Sequence, residues 1–303
     1  MTDRRGVAKA ILAVSGACLF PTLFPMSRAF AQSDNDAPDA LSVALRHIET
    51  DRGGRLGVAV IDTQTGKRAG YRSHERFPMC STFKLLAVAA VLSRVDSGTD
   101  RLERRIRFEP NDVVVNSPVT QNRSGAQGMT LAEICEAAIT FSDNTAGNLM
   151  LASIGGPEAL TAYARLLGDH VTRLDRVEPE LNEARPGDPR DTTSPAAMLS
   201  NMRALVTGDP LQPASRDRLI GWLAGNKTGG TRLRAGLPQQ WRIGDKTGAG
   251  EHGTTNDVAV VWPSEESRPL FISIYLTGDP SDGKHQNATI ASVGAAIAQW
   301  LHG

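Results

Sequence analysis

The run "MCSTFKLLAVAAVL", residues 79–92, is apolar on every side once it passes Lys84. A helix with no polar stripe is a buried helix, so the chain must build a body thick enough to surround it. Lys84 is then out of place, because an unpaired ammonium sealed from water either destabilises the fold or gives up its proton. Ser81 stands one turn earlier on the same helical face. At a helix start its N–H is among the donors left unbonded, at the positive end of the helix dipole, where an oxyanion could be held. A lysine deprotonated by burial is one of the bases that can turn such a hydroxyl into a nucleophile. Alone, the same four residues also describe an N-capping serine followed by a snorkelling lysine, and only their company decides.

On either side of this helix the pattern changes. Upstream, "DALSVALRHIE" has helical spacing, and "RLGVAVIDTQTGKRAGYR" reads as two strands around a turn at 63–66. Downstream, Ala- and Leu-rich helices are predicted over 81–95, 130–140, 143–153, 157–167, 195–206 and 214–224, with no convincing strand between them. Strands return from Trp241 in "WRIGDKT", "DVAVVWP" and "LFISIYLT", closed by a helix from about Gln286 to Leu301. Strands at both ends of a chain most simply share one antiparallel sheet, with the helical middle as a second lobe. The expected organisation is an α/β lobe from 32–77 and 226–303, an all-α lobe from 78–225, and a cleft between them.

The 303 residues are 40% hydrophobic and 22% charged with zero formal net charge, which is ordinary for a globular protein and argues against a polyanionic partner. No basic run interleaved with aromatics is present to track a nucleic acid. Residues 1–31 read as a signal peptide, with basic residues, an apolar stretch and small residues at Ala29 and Ala31 before the cut. Arg4 and Arg5 resemble a twin-arginine signal, the general secretion route being the alternative; either way a periplasmic or secreted protein is expected. No later segment is long and apolar enough to span a bilayer, so no membrane partner is expected after cleavage. Cys80 and Cys135 both sit in apolar helical contexts and are expected as buried thiols. The six histidines are scattered without ligand spacing, so neither a metal nor another cofactor is expected. Nothing demands more than a monomer.

Three further stretches supply the company. "TFSDNTAGNLML" places Ser142, Asp143 and Asn144 at a helix start, and "RIGDKTGAGEHGTTND" places Lys246, Thr247 and Gly248 at the end of a strand. Between them, "VEPELNEARPGDPRDTTSP", residues 177–195, holds four prolines and is too polar for an element. Loops this long are usually functional or disordered, and the opposite charges of Arg176 and Asp191 at its ends suggest a stapled, ordered one. S-x-x-K, S-D-N and K-T-G in this order are the signature of class A β-lactamases and penicillin-binding proteins.

The whole chain past the leader resembles a class A serine β-lactamase. The resemblance implies an α/β two-lobed fold with a five-stranded antiparallel sheet, and an enzyme that opens the β-lactam amide of penicillins and cephalosporins, conferring antibiotic resistance. It assigns Ser81 as nucleophile, with Lys84, Ser142, or Glu178 through a water, as the route for its proton. "RVEPELNEARPGDPRD" matches the loop that bears the deacylating base, making Glu178 that base, Asn182 its partner in holding water, and Arg176 with Asp191 the closing ion pair. The N–H groups of Ser81 and Ala249 should receive the oxyanion. Lys246 and Thr247, followed by Gly248, should meet the substrate carboxylate, and Asn144 the amide side chain. Where many relatives have a second carboxylate-binding arginine, Thr255 stands here; Arg232 matches the position from which others supply that charge. Asn116 replaces an aromatic wall. Val88 replaces the disulfide partner of Cys135, and Gly250 the partner that Cys80 has in carbapenem-hydrolysing members, so weak carbapenem turnover is expected. A penicillin-binding protein or a non-catalytic β-lactam sensor shares part of the signature, but the first lacks Glu178 in this loop and the second needs a membrane-spanning portion.

Overall fold

The computed structural model describes residues 40–302, and the expected signal peptide lies outside them. Its centre is a sheet of β1 (Arg55–Asp62), β2 (Arg68–Tyr71), β3 (Arg242–Gly250), β4 (Thr254–Trp262) and β5 (Leu270–Thr277), in the order β2-β1-β5-β4-β3 with every pairing antiparallel. β1 therefore pairs with a strand more than two hundred residues further on, Arg55 opposite Thr277 and Asp62 opposite Leu270. Successive side chains of a strand point to opposite faces. Val258 and Val260 enter one apolar cluster while Ala259 and Val261 enter another. Because both faces are covered, these strands read as continuous apolar runs rather than alternations.

One face is covered by α1 (Ala40–Arg52) and α9 (Gly283–His302), through Leu41, Leu45, Ile290, Val293 and Ile297. The last helix starts three residues ahead of the expected position because Asp282 Oδ1 accepts the N–H of His285 at 2.9 Å. The other face meets the helical middle: α2 (Phe83–Asp96), α3 (Leu131–Thr140), α4 (Asn144–Ile154), α5 (Pro157–Leu166), α6 (Pro195–Thr207) and α7 (Pro213–Ala224), with the one-turn α8 (Leu233–Gly236) leading back to the sheet. Every residue of α2 from Phe83 to Leu92 is buried, as its unbroken apolar sequence requires.

The expectation of no strand between 79 and 225 needs correction. Arg105–Ile106 pairs with Met129–Thr130, and Thr192–Thr193 pairs with Phe77–Pro78. Ladders of two residues are too short to carry a period of two, which is why no pattern announced them. The second matters for the site, since it joins the end of the long loop to the chain just ahead of Ser81, continued by the N–H of Met79 donating to Asp191 O at 2.8 Å.

Candidate active site

Ser81 sits in a 3-10 turn, Cys80–Thr82, that runs into α2. The turn is pinned from the sheet: Asn256 Nδ2 donates to the carbonyls of Pro78 and Met79 at 2.9 and 3.0 Å. Gly248 of β3 lies so close that a Cβ there would stand 2.8 Å from Met79 O, which is the physical reason the K-T-G stretch ends in glycine. Lys84 follows one turn later, wholly buried.

Asp143 caps α4 and is also the anchor of the opposing wall. Its Oδ1 accepts from Ala146 N and Thr120 Oγ1, and its Oδ2 from the N–H groups of Val119 and Thr120, all within 2.8–2.9 Å. Ser142, just ahead, is held at φ 57°, a left-handed conformation shared by Cys80 (45°) and Asn116 (59°). Non-glycine residues adopt it at an energetic penalty that the surrounding contacts must offset, and such residues cluster at functional sites.

The loop bearing Glu178 is stapled at its stem by Arg176 and Asp191. Asp191 takes the N–H groups of Asp175 and Arg176 at 2.8 and 2.9 Å and Arg176 Nε at 2.6 Å. Asn148, four residues beyond Asn144 on α4, receives the N–H of Glu178 at 2.8 Å and donates to its carbonyl at 2.8 Å. Both the stem of the loop and the backbone of its carboxylate residue are therefore fixed, and the Glu178–Pro179 peptide is cis.

These supports converge on Lys84 Nζ. It lies 3.0 Å from Ser81 Oγ, 2.9 Å from Glu178 Oε1, and 2.8 Å from both Ser142 O and Asn144 Oδ1. Ser81 Oγ is itself 3.2 Å from Glu178 Oε1, whose other oxygen accepts from Asn182 Nδ2. Burial pushes the Lys84 amine down, while the charge and hydrogen bond of Glu178 push back, and the net shift is downward. Three of the four partners, two carbonyl oxygens and the Glu178 carboxylate, can only accept, so they match the three N–H bonds of a charged Lys84, and an uncharged Lys84 that turns its lone pair to Ser81 gives one of them up. Lys246 Nζ donates to Ser142 Oγ at 3.0 Å, and burial together with the nearby Lys84 charge holds its amine well below the usual lysine range.

A cavity of about 650 Å³ opens above this cluster, with Ser81, Ser142, Asn144, Asn182, Thr247 and Arg232 among its walls. It also takes in Gly248 and Ala249. The sequence model of the β-lactamase enzyme family matches residues 40–301.

The chain belongs to the β-lactamase enzyme family.

The enzyme is 47% identical to β-lactamase OXY-2 of Klebsiella oxytoca over 263 residues, 87% of this chain and 90% of that one. It is 44% identical to β-lactamase Toho-1 of Escherichia coli over 277 residues, 91% and 92% of the two chains. Among solved structures, an ancestral class A β-lactamase superposes with a TM-score of 0.84 at 60% identity, covering 86% of this chain and 99% of that one. The putative class A β-lactamase PenP from Rhodopseudomonas palustris gives 0.84 at 57% identity over 86% and 99%. The two-lobed α/β fold of this β-lactamase is thus the class A fold.

The residues singled out in the sequence meet at or just beneath the cavity, and Arg176 and Asp191 form an ion pair at the stem of the long loop. Asn144 differs in detail: its Oδ1 is taken by Lys84 and its Nδ2 donates to Val115 O at 3.0 Å, so both ends of its amide are engaged in this β-lactamase. Arg232 donates from Nη1 to Gly248 O and Asn256 O at 2.7 and 2.8 Å and from Nε to Asn287 at 2.8 Å. Thr255 Oγ1 donates to Gln286 Oε1 at 2.7 Å, and Cys80 and Cys135 are free, buried thiols. Gly250 lies where a Cβ would stand 2.7 Å from Cys80 Sγ and 2.6 Å from Asn182 O. Sequence reading missed Asn148, although its i+4 spacing from Asn144 puts both on one helix face. It also missed Asn226 and Thr228 as site residues, since their N-x-T triplet at 226–228 reads as chance.

Proposed function

We propose that the enzyme hydrolyses penicillins and cephalosporins through an acyl-enzyme on Ser81 that is released by a water activated by Glu178. The single observation that carries this reading is the buried meeting of Ser81, Lys84 and Glu178 within hydrogen-bond reach. In acylation Ser81 Oγ attacks the β-lactam carbonyl carbon and its proton passes to Lys84, or to Glu178 through a water. The N–H groups of Ser81 and Ala249 receive the developing oxyanion. The C–N bond breaks, and the departing nitrogen takes a proton from Ser142, which is replaced by the proton that left Ser81, so that Lys84 and Glu178 end the step as they began it. The bond from Lys246 to Ser142 Oγ leaves that hydroxyl proton free for the transfer. In deacylation Glu178, oriented by Asn182, takes a proton from water as its oxygen attacks the ester carbonyl, and passes that proton to Ser81 Oγ as the ester C–O bond breaks, which frees the acid and restores the enzyme.

Lys246, Thr247 and Arg232 hold the substrate carboxylate, and Asn144 meets the amide side chain from the opposite wall. Carbapenem turnover is weak. Export by the 1–31 segment delivers a monomeric protein to the periplasm or outside the cell, where it protects its host from β-lactams. None of the helices among the described residues is long and apolar enough to cross a membrane.

The test follows benzylpenicillin with the protein freed of residues 1–31 and with its Glu178→Ala variant, recording turnover and intact mass together. Many turnovers by the first and a persisting covalent adduct on the second are expected. One equivalent consumed by the unsubstituted protein, with the adduct retained, would instead identify a penicillin-binding protein or sensor.

A further inference from the structure

A chain of polar groups runs from α8 to the carboxylate side of the cavity. Arg234 Nε donates to Asp245 Oδ1 at 2.7 Å, and Asn226 Nδ2 donates to Asp245 Oδ2 at 2.8 Å. With both its oxygens accepting, Asp245 fixes which end of the Asn226 amide is nitrogen. Asn226 Oδ1 then accepts twice from Thr228, from its N–H at 3.0 Å and from its hydroxyl at 2.8 Å. A hydroxyl has one proton. Since that of Thr228 is spent on Asn226, the hydrogen bond between Thr228 Oγ1 and Thr247 Oγ1 has to run from Thr247 to Thr228.

We infer that Thr228 is a positioning residue that holds the Thr247 hydroxyl proton away from the cavity in the substrate-free enzyme, so that it competes with the carboxylate of an arriving substrate for that proton. Thr247 meets such a substrate with its lone pairs and must turn before it can donate. Two wholly or largely buried groups set the polarity: Asp245 and Asn226 are 0% and 7% exposed. The inference rests on the proposed placement of the substrate carboxylate at Thr247.

The test compares KM and kcat for benzylpenicillin and its methyl ester in Thr228→Val, Thr228→Ser and Thr247→Val. Thr228→Val keeps the shape and leaves Asn226 Oδ1 its backbone donor, and the Thr247 hydroxyl, which loses its partner, lies on the cavity wall where solvent or substrate can take its proton. With the competing acceptor gone, KM for the acid should fall by roughly three- to tenfold, the effect of one hydrogen bond to a charged group partly released, with kcat changed less. The ester should show no such fall, and Thr228→Ser, which restores the acceptor oxygen, should return KM for the acid to its starting value. Thr247→Val should raise KM for the acid. An unchanged or increased KM in Thr228→Val, while Thr247→Val behaves as expected, would overturn the inference alone. An unchanged KM in Thr247→Val would overturn the carboxylate placement beneath it.

Discussion

Lys84 Nζ stands 2.9 Å from Glu178 Oε1 with both side chains sealed from water, and the same nitrogen stands 3.0 Å from Ser81 Oγ. One amine thus touches both the nucleophile proposed for the first step and the base proposed for the second. Because Glu178 raises the Lys84 pKa against burial, its neutral isostere should leave the amine less protonated and still able to activate Ser81. Glu178→Gln is expected to acylate within about tenfold of the starting rate and to deacylate some 10²- to 10⁴-fold more slowly, the usual range for a lost general base. Rapid-quench mass spectrometry separates the two steps. A parallel collapse of acylation would move the first base from Lys84 to Glu178.

Asp191 is 1% exposed and receives three donors, two of them backbone N–H groups and the third the Arg176 guanidinium. Asp191→Ala leaves the two backbone donors without an acceptor and Arg176 with Glu183 alone, and is expected to destabilise the fold by about 3–5 kcal/mol, mostly from the two unsatisfied donors. Tm should drop by roughly 6–15 °C, and kcat should fall because Glu178 rides on the freed loop. An unaltered melting curve would mean that the loop needs no staple.

Arg232 is held by two carbonyls and Asn287 and is among the walls of the cavity. Arg232→Ala should raise KM for benzylpenicillin about tenfold and lower kcat less, as expected for a contact made mainly in the bound ground state. Arg232→Lys should not restore KM, since one ammonium cannot satisfy that cradle and reach the substrate as well. Unchanged kcat/KM in the alanine variant would remove Arg232 from the site.

Burial raises the Cys135 thiol above its ordinary value of 9.0. Above pH 9 the unfolded chain has released this proton and the native state has not, so stability falls with pH by up to about 1.4 kcal/mol per unit for this thiol. Lys84 and Lys246, lowered from 10.5, act in the opposite sense: the unfolded chain holds the extra protons, and stability grows as pH rises toward 10.5. Cys135→Ala removes only the first contribution. Its stability relative to the unsubstituted protein should therefore improve steadily between pH 9 and 10.5 in urea unfolding, whatever the offset at pH 8. Parallel curves would refute a protonated native thiol.

The site was legible wherever chemistry left an anomaly in a pattern. Lys84 broke an apolar helix, and the long loop was too rich in proline to be an element and too charged at its ends to be slack. The sheet was legible from its strands, although its order needed the register of β1 against β5, which no local pattern encodes. Asn148, Asn226 and Thr228 went unread because a helix-face asparagine or a loop threonine is unremarkable until the fold brings it to a partner. The short ladder at Thr192–Thr193 stayed hidden for the same reason, its strand-like character coming wholly from tertiary pairing.

The pairing of β1 with β5 also sets an order of events at synthesis. β1 can close its hairpin with β2 almost as soon as it exists, but its other edge stays open until residues 270–277 have been made. Contacts so distant in sequence close late and slowly. Until then an apolar strand edge is exposed and ready to pair with another chain. A chain truncated before Leu270 would keep Ser81, Lys84, Glu178 and Lys246 and still leave both β1 and β4 open, so its expected fate is aggregation rather than weak activity.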